Sequence, residues 1–559
     1  MADGRIEHVV LLMLENRSFD HMFGFLDHPG HDFPRLQVGD HPNRLNPADP
    51  ASPATGVSAD ATYTLDVDPP HSHKSAMEQI NLRMGRRAQM DGFLSAHVRK
   101  ASGNEERPIV HWWRVAALAL AVMGLLLSAL RRLLGGRRRL WLSLYAALSG
   151  ALSLALRRAK RSVDNPRATK VDAEVMRCMS PGSIPVLATL AKEFAVCTRW
   201  HCSVPGETWP NRNFVHAATS DQTVDIELGF YDSATIFDVL ERHGASWRVY
   251  HDGRAHLWAF RNLWRGKRIA RWEPMASFEE HVANGDLAAY SFIEPDHQGV
   301  DSNSQHPGNN KTGTGGVDFV RGEELTAHIY DVLERHPEVF AKTLFVVTYD
   351  EHGGLFDHEP PPLRVPAPAP MRKDPLSLGL LSRRAVSFFV ERRSTRFGFR
   401  MLGPRVPAVV VSPLIPAGTV DDRLYEHSSV VATLRHLFAP GALPLTARDE
   451  WAATFDHLAT LDEPRQAQDL PHVSPPVPAA PPPLAPPPPS GPMAPSSDEF
   501  ARQLEVLAQG VSSELDAMNI PTVTVPDGRR PLSGTGAGAG DETVGRFRLA
   551  AEEARQGGG

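Results

Sequence analysis

The chain has 559 residues, 42% of them hydrophobic and 22% charged, with a net charge of −6. That length exceeds one ordinary core, so one large catalytic domain with appendages is expected, of globular composition. The mildly acidic balance gives no reason to expect a nucleic-acid partner, and three cysteines, Cys178, Cys197 and Cys202, are too few for a disulfide framework.

The chain opens MADGRIEHVVLLMLEN, with acids and an immediate apolar run. No secretory signal peptide is read there, and the expected location is cytoplasmic, with membrane association left open. Glu7 to Leu14 reads as a first buried strand ending in ENRSFDH. ATIFDVLERHGASWRVYHD reads as a helix stopped at Gly244, then a strand over Trp247 to Tyr250. AAYSFIEPD is a short strand ending at Glu294 and Asp296. GEELTAHIYDVLERHPEVF has helical spacing and leads into Leu344–Tyr349, a continuous apolar run that suits a sheet covered on both faces. RVPAVVVSP supplies a further strand and SSVVATLRHLF a helix. Strands alternating with helices predict an α/β fold, a mainly parallel central sheet with helices on both faces.

Two regions break that pattern. Residues 103–165 hold two apolar runs of about 17 residues, roughly 25 Å as helix and short of the ~30 Å hydrocarbon core. Trp112, Trp113, Trp141 and Tyr145 sit at their ends, and arginines flank both. This apolar insertion reads as a helical hairpin lying in or dipping into a membrane, with a soluble helical pair as the alternative. Residues 466–496 read as a Pro-rich linker, and 497–559 as a short helix followed by a disordered Gly-rich tail. The catalytic domain then spans 1–465.

Three separated segments deliver hard, oxygen-bearing side chains. The first gives Glu15 and Asn16. The second, SVPGETWPNRNF, gives Thr208, Asn211 and Arg212. The third, TYDEHGG, gives Asp350 and Glu351 just past a strand end, where open α/β sheets keep their chemistry. Carboxylates with an amide carbonyl and no sulfur donor form an oxygen-rich site suited to one or more divalent cations. Gly353 and Gly354 allow a tight turn there and the close approach of a ligand.

The strings EHVVLLMLENRSFDHMFGFL, PGETWPNRNF, TYDEHGGLFDHEPPP, GPRVPAVVVSP and YEHSSVVATLRHLF resemble the bacterial phosphoesterase family that contains non-specific phospholipases C and an acid phosphatase. The resemblance covers roughly residues 5–465 apart from the insertion, and implies an alkaline-phosphatase-like fold. It implies Glu15, Asn16, Asp350 and Glu351 as metal ligands and Thr208 as the hydroxyl nucleophile. His306 and His358, with His71, match the family's histidines and are expected as acids or phosphate donors. Arg212 and Asn211 are expected at the substrate, Arg212 as phosphate clamp or as a salt bridge beside the site.

A threonine hydroxyl is a poor nucleophile at neutral pH, and coordination to a divalent cation lowers its pKa. The expected reaction is therefore metal-dependent hydrolysis of phosphate esters through a phosphothreonine, foremost a phospholipase C-type cleavage of phospholipid phosphodiesters. Alternatives are an acid phosphatase-type phosphomonoesterase and a membrane-bound non-catalytic scaffold. Two departures from the family pattern stand out. Glu426 replaces the usual Asp before His427, and Glu207 sits beside the nucleophile, where it could repel an anionic substrate or bind a second cation.

Overall fold

A computed structural model describes residues 4–30, 32–65, 67–82, 88–101, 173–226, 230–297, 302–308, 317–368, 397–476, 497–518, 520 and 542–556. The chain divides into two units. The first comprises Met1–His97, Ala173–Pro370 and Phe397–Gly559; the second comprises Val98–Asp172 and Met371–Arg396, of which only residues 98–101 are described. The apolar runs of 103–165 and most of the Pro-rich linker lie outside the described residues. Among the described residues no helix is long and apolar enough to cross a membrane.

The first unit is built on eight strands: β1 (His8–Leu14), β2 (Ala195–Cys197), β3 (Trp247–His251), β4 (Trp272–Glu273), β5 (Tyr290–Glu294), β6 (Thr343–Tyr349), β7 (Ala408–Val411) and β8 (Thr419–Asp421). Their order across the sheet is β8-β2-β7-β6-β1-β5-β3-β4. Every pairing is parallel except those of β7, which runs antiparallel to β6 and to β2. Val9–Leu14 and Leu344–Tyr349 are buried along their whole length, on both alternating faces. Full burial of each Val or Leu contributes about 1.5–3 kcal/mol, enough to outweigh the ~1–2 kcal/mol of backbone entropy lost per residue.

The register then fixes the site. β1 pairs β6 with Leu14 opposite Tyr349, and β5 with Leu12 opposite Ile293. Glu15, Asp350 and Glu294 therefore leave or end three neighbouring parallel strands at one edge. Helix α1 (Pro185–Glu193) precedes β2, and helix α2 (Thr208–Ala217) opens with Thr208. Helices α3 (Val317–Glu334) and α4 (Ser428–Phe438) precede β6 and follow β8.

The tail departs from its expected form. Helix α5 (Ser497–Ala517) is longer than a short helix, and Glu542–Gln556 forms a further helix, α6, where disorder was expected. The Phe547 ring of α6 lies 5.1 Å from both Trp258 and Trp272 and 5.9 Å from Trp264. Arg548 and Arg555 pair with Asp252 and Glu273. Burying one aromatic ring among three indoles outweighs a composition that is otherwise polar.

Candidate active site

Asn16 leaves β1 in the left-handed region, φ 59°, and its backbone N–H donates to Asp350 Oδ1 at 3.0 Å. The Glu351 N–H donates to the same oxygen at 2.7 Å. Gly353 and Gly354 also have positive φ, 65° and 71°, and a Cβ on either would collide with the carbonyl of Asn16 or Pro70. Their small size admits the neighbouring backbone, and their positive φ makes the tight turn.

Thr208, 2% exposed, begins α2, and its hydroxyl donates to Asn16 Oδ1 at 3.3 Å. A helix N-terminus carries partial positive charge, so an anion meeting Thr208 is favoured by backbone as well as side chains. On the other side of the Asn16 amide, Nδ2 lies 3.5 Å from His71 Nε2. His71 donates from Nδ1 to the Pro69 carbonyl at 2.8 Å, which directs Nε2 inward. The His306 ring is 5.8 Å from that of His71, and its Nδ1 accepts from the Gly308 N–H. Burial pushes His306 down to about 4, against the pull of Asp68 and Glu15, so it stands as a neutral Nε2–H donor.

The carboxylates are fully buried. Burial raises Glu15, but His297, His306 and Arg212 outweigh it and hold Glu15 at about 2. Burial dominates at Asp350, pushed up to about 6, and at Glu351, pushed up to about 8 despite His71. Glu351 Oε2 accepts from the Gly353 N–H at 2.8 Å. Both oxygens of Glu15 and Oε1 of Glu351 have no hydrogen-bond partner among the described residues. Buried carboxylate oxygens without donors are costly unless a cation answers them, so this donor set fits a hard divalent ion. Among the described residues no three His, Cys, Asp or Glu side chains form a ready-made cage.

Arg212 and Asn211 are corrected. Arg212 is fully buried, with Nε donating to Asp350 at 3.0 Å, Nη1 to Glu294 at 2.7 Å and Nη2 to the Met13 carbonyl at 2.9 Å. Those commitments leave it to the salt-bridge alternative, not to substrate phosphate. Asn211 spends its amide on its own loop, accepting from the Val204 N–H and donating to the carbonyls of Val204, Gly206 and Glu207. Glu207 accepts from the Ile226 N–H at 2.6 Å, which ties it to the chain beside the site.

His358 lies in a different network. Its Nδ1 is 2.7 Å from Asp20 Oδ2, and its ring stacks on His41 at 4.8 Å. No hydrogen bond joins it to Thr208, Asn16 or Asp350 among the described residues. His427 donates from Nε2 to the Asp350 carbonyl at 2.6 Å, with Nδ1 accepting from Trp200, and burial pushes it down to about 4. Glu426 accepts from Ser203 and faces Arg448 at 3.7 Å.

His297 is the residue that sequence reasoning missed. Its Nδ1 lies 2.9 Å from Glu15 Oε2 and its Nε2 2.6 Å from Glu294 Oε1. Burial opposes its charge, but Glu15 and Glu294 raise it to about 9. The string FIEPDH held the signal: a strand end in register with β1, followed by an imidazole.

The Phosphoesterase family profile matches residues 6–125 and 158–439, spans that contain Glu15, Asn16, His71, Thr208, Asp350 and Glu351. The chain belongs to the Phosphoesterase family. As a family member it is a phosphoric ester hydrolase. It is similar to Non-specific phospholipase C1 of Arabidopsis thaliana, at 30% identity over 497 residues, 85% of this chain and 74% of that protein. Non-hemolytic phospholipase C of Pseudomonas aeruginosa is 29% identical over 279 residues, 44% of this chain and 38% of its own. A protein in the alkaline phosphatase superfamily from Vibrio parahaemolyticus aligns with 52% of this chain and 66% of its own at 12% identity and a TM-score of 0.25, too low a likeness to argue from.

Proposed function

We propose that this phosphoesterase is a phospholipase C-type enzyme that cleaves phospholipid phosphodiesters with Thr208 as nucleophile. One observation carries the reading: a buried hydroxyl at a helix start, hydrogen-bonded to the side chain of Asn16, whose own N–H is held by the buried carboxylate of Asp350. Similarity to phospholipases C from a plant and a bacterium supports the lipid substrate.

Glu15, Asn16, Asp350 and Glu351 would hold a divalent cation, with the hydroxyl of Thr208 next to it. When bound, such an ion lowers the pKa of a neighbouring hydroxyl and offsets charge on phosphate oxygens. Thr208 Oγ attacks phosphorus in line, a phosphorus–Oγ bond forms, and the bond to the glycerol oxygen breaks. Diacylglycerol leaves after taking a proton, and water then releases the phosphorylated headgroup from Thr208. His71, with Nδ1 held by Pro69, takes the Thr208 hydroxyl proton at Nε2 and passes it to the departing glycerol oxygen, and in the second step a proton from the attacking water returns to Thr208 Oγ. His306 donates from Nε2 to a phosphoryl oxygen. Contact with the lipid surface is assigned to residues 110–160.

The test compares phosphatidylcholine micelles with a soluble aryl phosphate, for wild type and Thr208→Ala. Faster turnover of the micelles, abolished in Thr208→Ala, is expected. Preference for the aryl phosphate would make the protein a phosphomonoesterase, and equal background rates for wild type and variant would make it a scaffold.

A further inference from the structure

Behind the carboxylates runs a closed circuit of buried charged side chains. Glu15 Oε2 meets His297 Nδ1 at 2.9 Å, and His297 Nε2 meets Glu294 Oε1 at 2.6 Å. The same Glu294 oxygen takes Arg212 Nη1 at 2.7 Å, and Arg212 Nε reaches Asp350 Oδ2 at 3.0 Å. Asp350 Oδ1 accepts the Asn16 N–H, so the circuit closes through the Glu15–Asn16 peptide. It joins the ends of β1, β5 and β6 to α2, and none of its side chains is more than 1% exposed.

We propose that His297, backed by Glu294, is a positioning residue that aims Glu15 at the cation site. The proposal rests on the cation site of the preceding reading. A carboxylate has two oxygens: Glu15 Oε2 stands in ion-pair contact with His297 Nδ1 at 2.9 Å, whereas Oε1 has neither an ion-pair nor a hydrogen-bond partner among the described residues, and no aligned hydrogen bond satisfies Oε2 either. An ion pair serving stability alone would satisfy both oxygens in so buried a place. Here one oxygen is pinned and the other is kept available. The pin is rigid because Glu294 is itself fixed by Arg212, so His297 cannot turn without breaking two contacts. Hydrogen bonds behind ligating carboxylates set ligand orientation, and losing one typically weakens metal affinity about 10–100-fold.

The two ring nitrogens separate the roles. An asparagine amide overlays Nδ1 and keeps a donor for Glu15, whereas a glutamine amide overlays Nε2 and keeps one for Glu294. The experiment titrates Mn²⁺ into demetallated full-length protein and follows free Mn²⁺ by electron paramagnetic resonance. Glu15→Ala, expected to lose binding, is the control. If wild type fails to bind, or Glu15→Ala binds as wild type does, the cation site itself is wrong. With that control in place, His297→Ala and His297→Gln should weaken Mn²⁺ binding about 10–100-fold, and His297→Asn should stay within a few-fold of wild type. Wild-type affinity in His297→Ala, or equal losses in the Asn and Gln variants, would overturn the proposal. If His297→Ala shows no cooperative melting transition, Glu294→Gln replaces it: weaker binding supports the circuit, and unchanged binding sinks it.

Discussion

Two buried arginines each bridge two carboxylates, and the contrast between them separates chemistry from scaffold. Arg405 donates from Nε to Asp357 at 3.0 Å and from Nη2 to Asp20 at 2.8 Å. The remaining oxygens there are also answered: Asp20 Oδ2 by His358, and Asp357 Oδ2 by the Asp20 N–H at 3.3 Å. That network is closed. Around Arg212 the wiring is similar, yet Glu15 Oε1, Glu294 Oε2 and Glu351 Oε1 have no hydrogen-bond partner among the described residues. That network is open. Buried charge is tolerated when every lone pair is met, and unmet buried oxygens mark where a ligand belongs. Sequence placed His358 with the open network, and the structure puts it in the closed one.

Thr208→Ala should lower kcat for phosphodiester hydrolysis on the order of 10⁴-fold or more, with little change in melting temperature. A loss under tenfold would move the nucleophile elsewhere. Arg405→Ala removes the arginine from the closed network and leaves Asp357 without its ion-pair partner and Asp20 with His358 alone, so unfolding free energy should fall by about 3–5 kcal/mol in urea titration. Its Mn²⁺ affinity, provided the variant folds, should match wild type. Weakened ion binding in a folded Arg405→Ala protein would merge the two networks.

The smallest effect concerns pH. Burial opposes charge on His358, but Asp20 outweighs it and raises its pKa above the ordinary value. A raised folded-state pKa gives stability that is full below about 6.5, the unfolded value, and lost as pH climbs through the folded one. His358→Gln should therefore lower the melting temperature more at pH 6 than at pH 9. An equal difference at both would mean that the His358–Asp20 contact carries no net charge stabilisation.

Much of this was readable in the residues. β1, β6 and β7 hold apolar runs of four residues or more, and the acids after β1 and β6 announced the site. β2, β4 and β8 have only two or three residues each, too few for periodicity to register. Glu15, Asn16, Thr208 and Asp350 do converge, whereas Asn211 faces its own loop and Arg212 takes its salt-bridge alternative, because what a polar side chain faces depends on backbone brought in by the fold. Arg212 lies between Met13, Glu294 and Asp350, residues far apart in the chain. α6 carried its own signal in Val544, Phe547 and Ala551 at helical spacing, hidden by the glycines before it.

The central claim is tested most directly by an anomalous difference map from a crystal soaked with Mn²⁺ and a phosphate analogue. A single peak within about 2.0–2.6 Å of oxygens from Glu15, Asn16 and Asp350, with Thr208 Oγ facing phosphorus, is predicted. A peak coordinated elsewhere, or one sharing no ligand with those three residues, would contradict it.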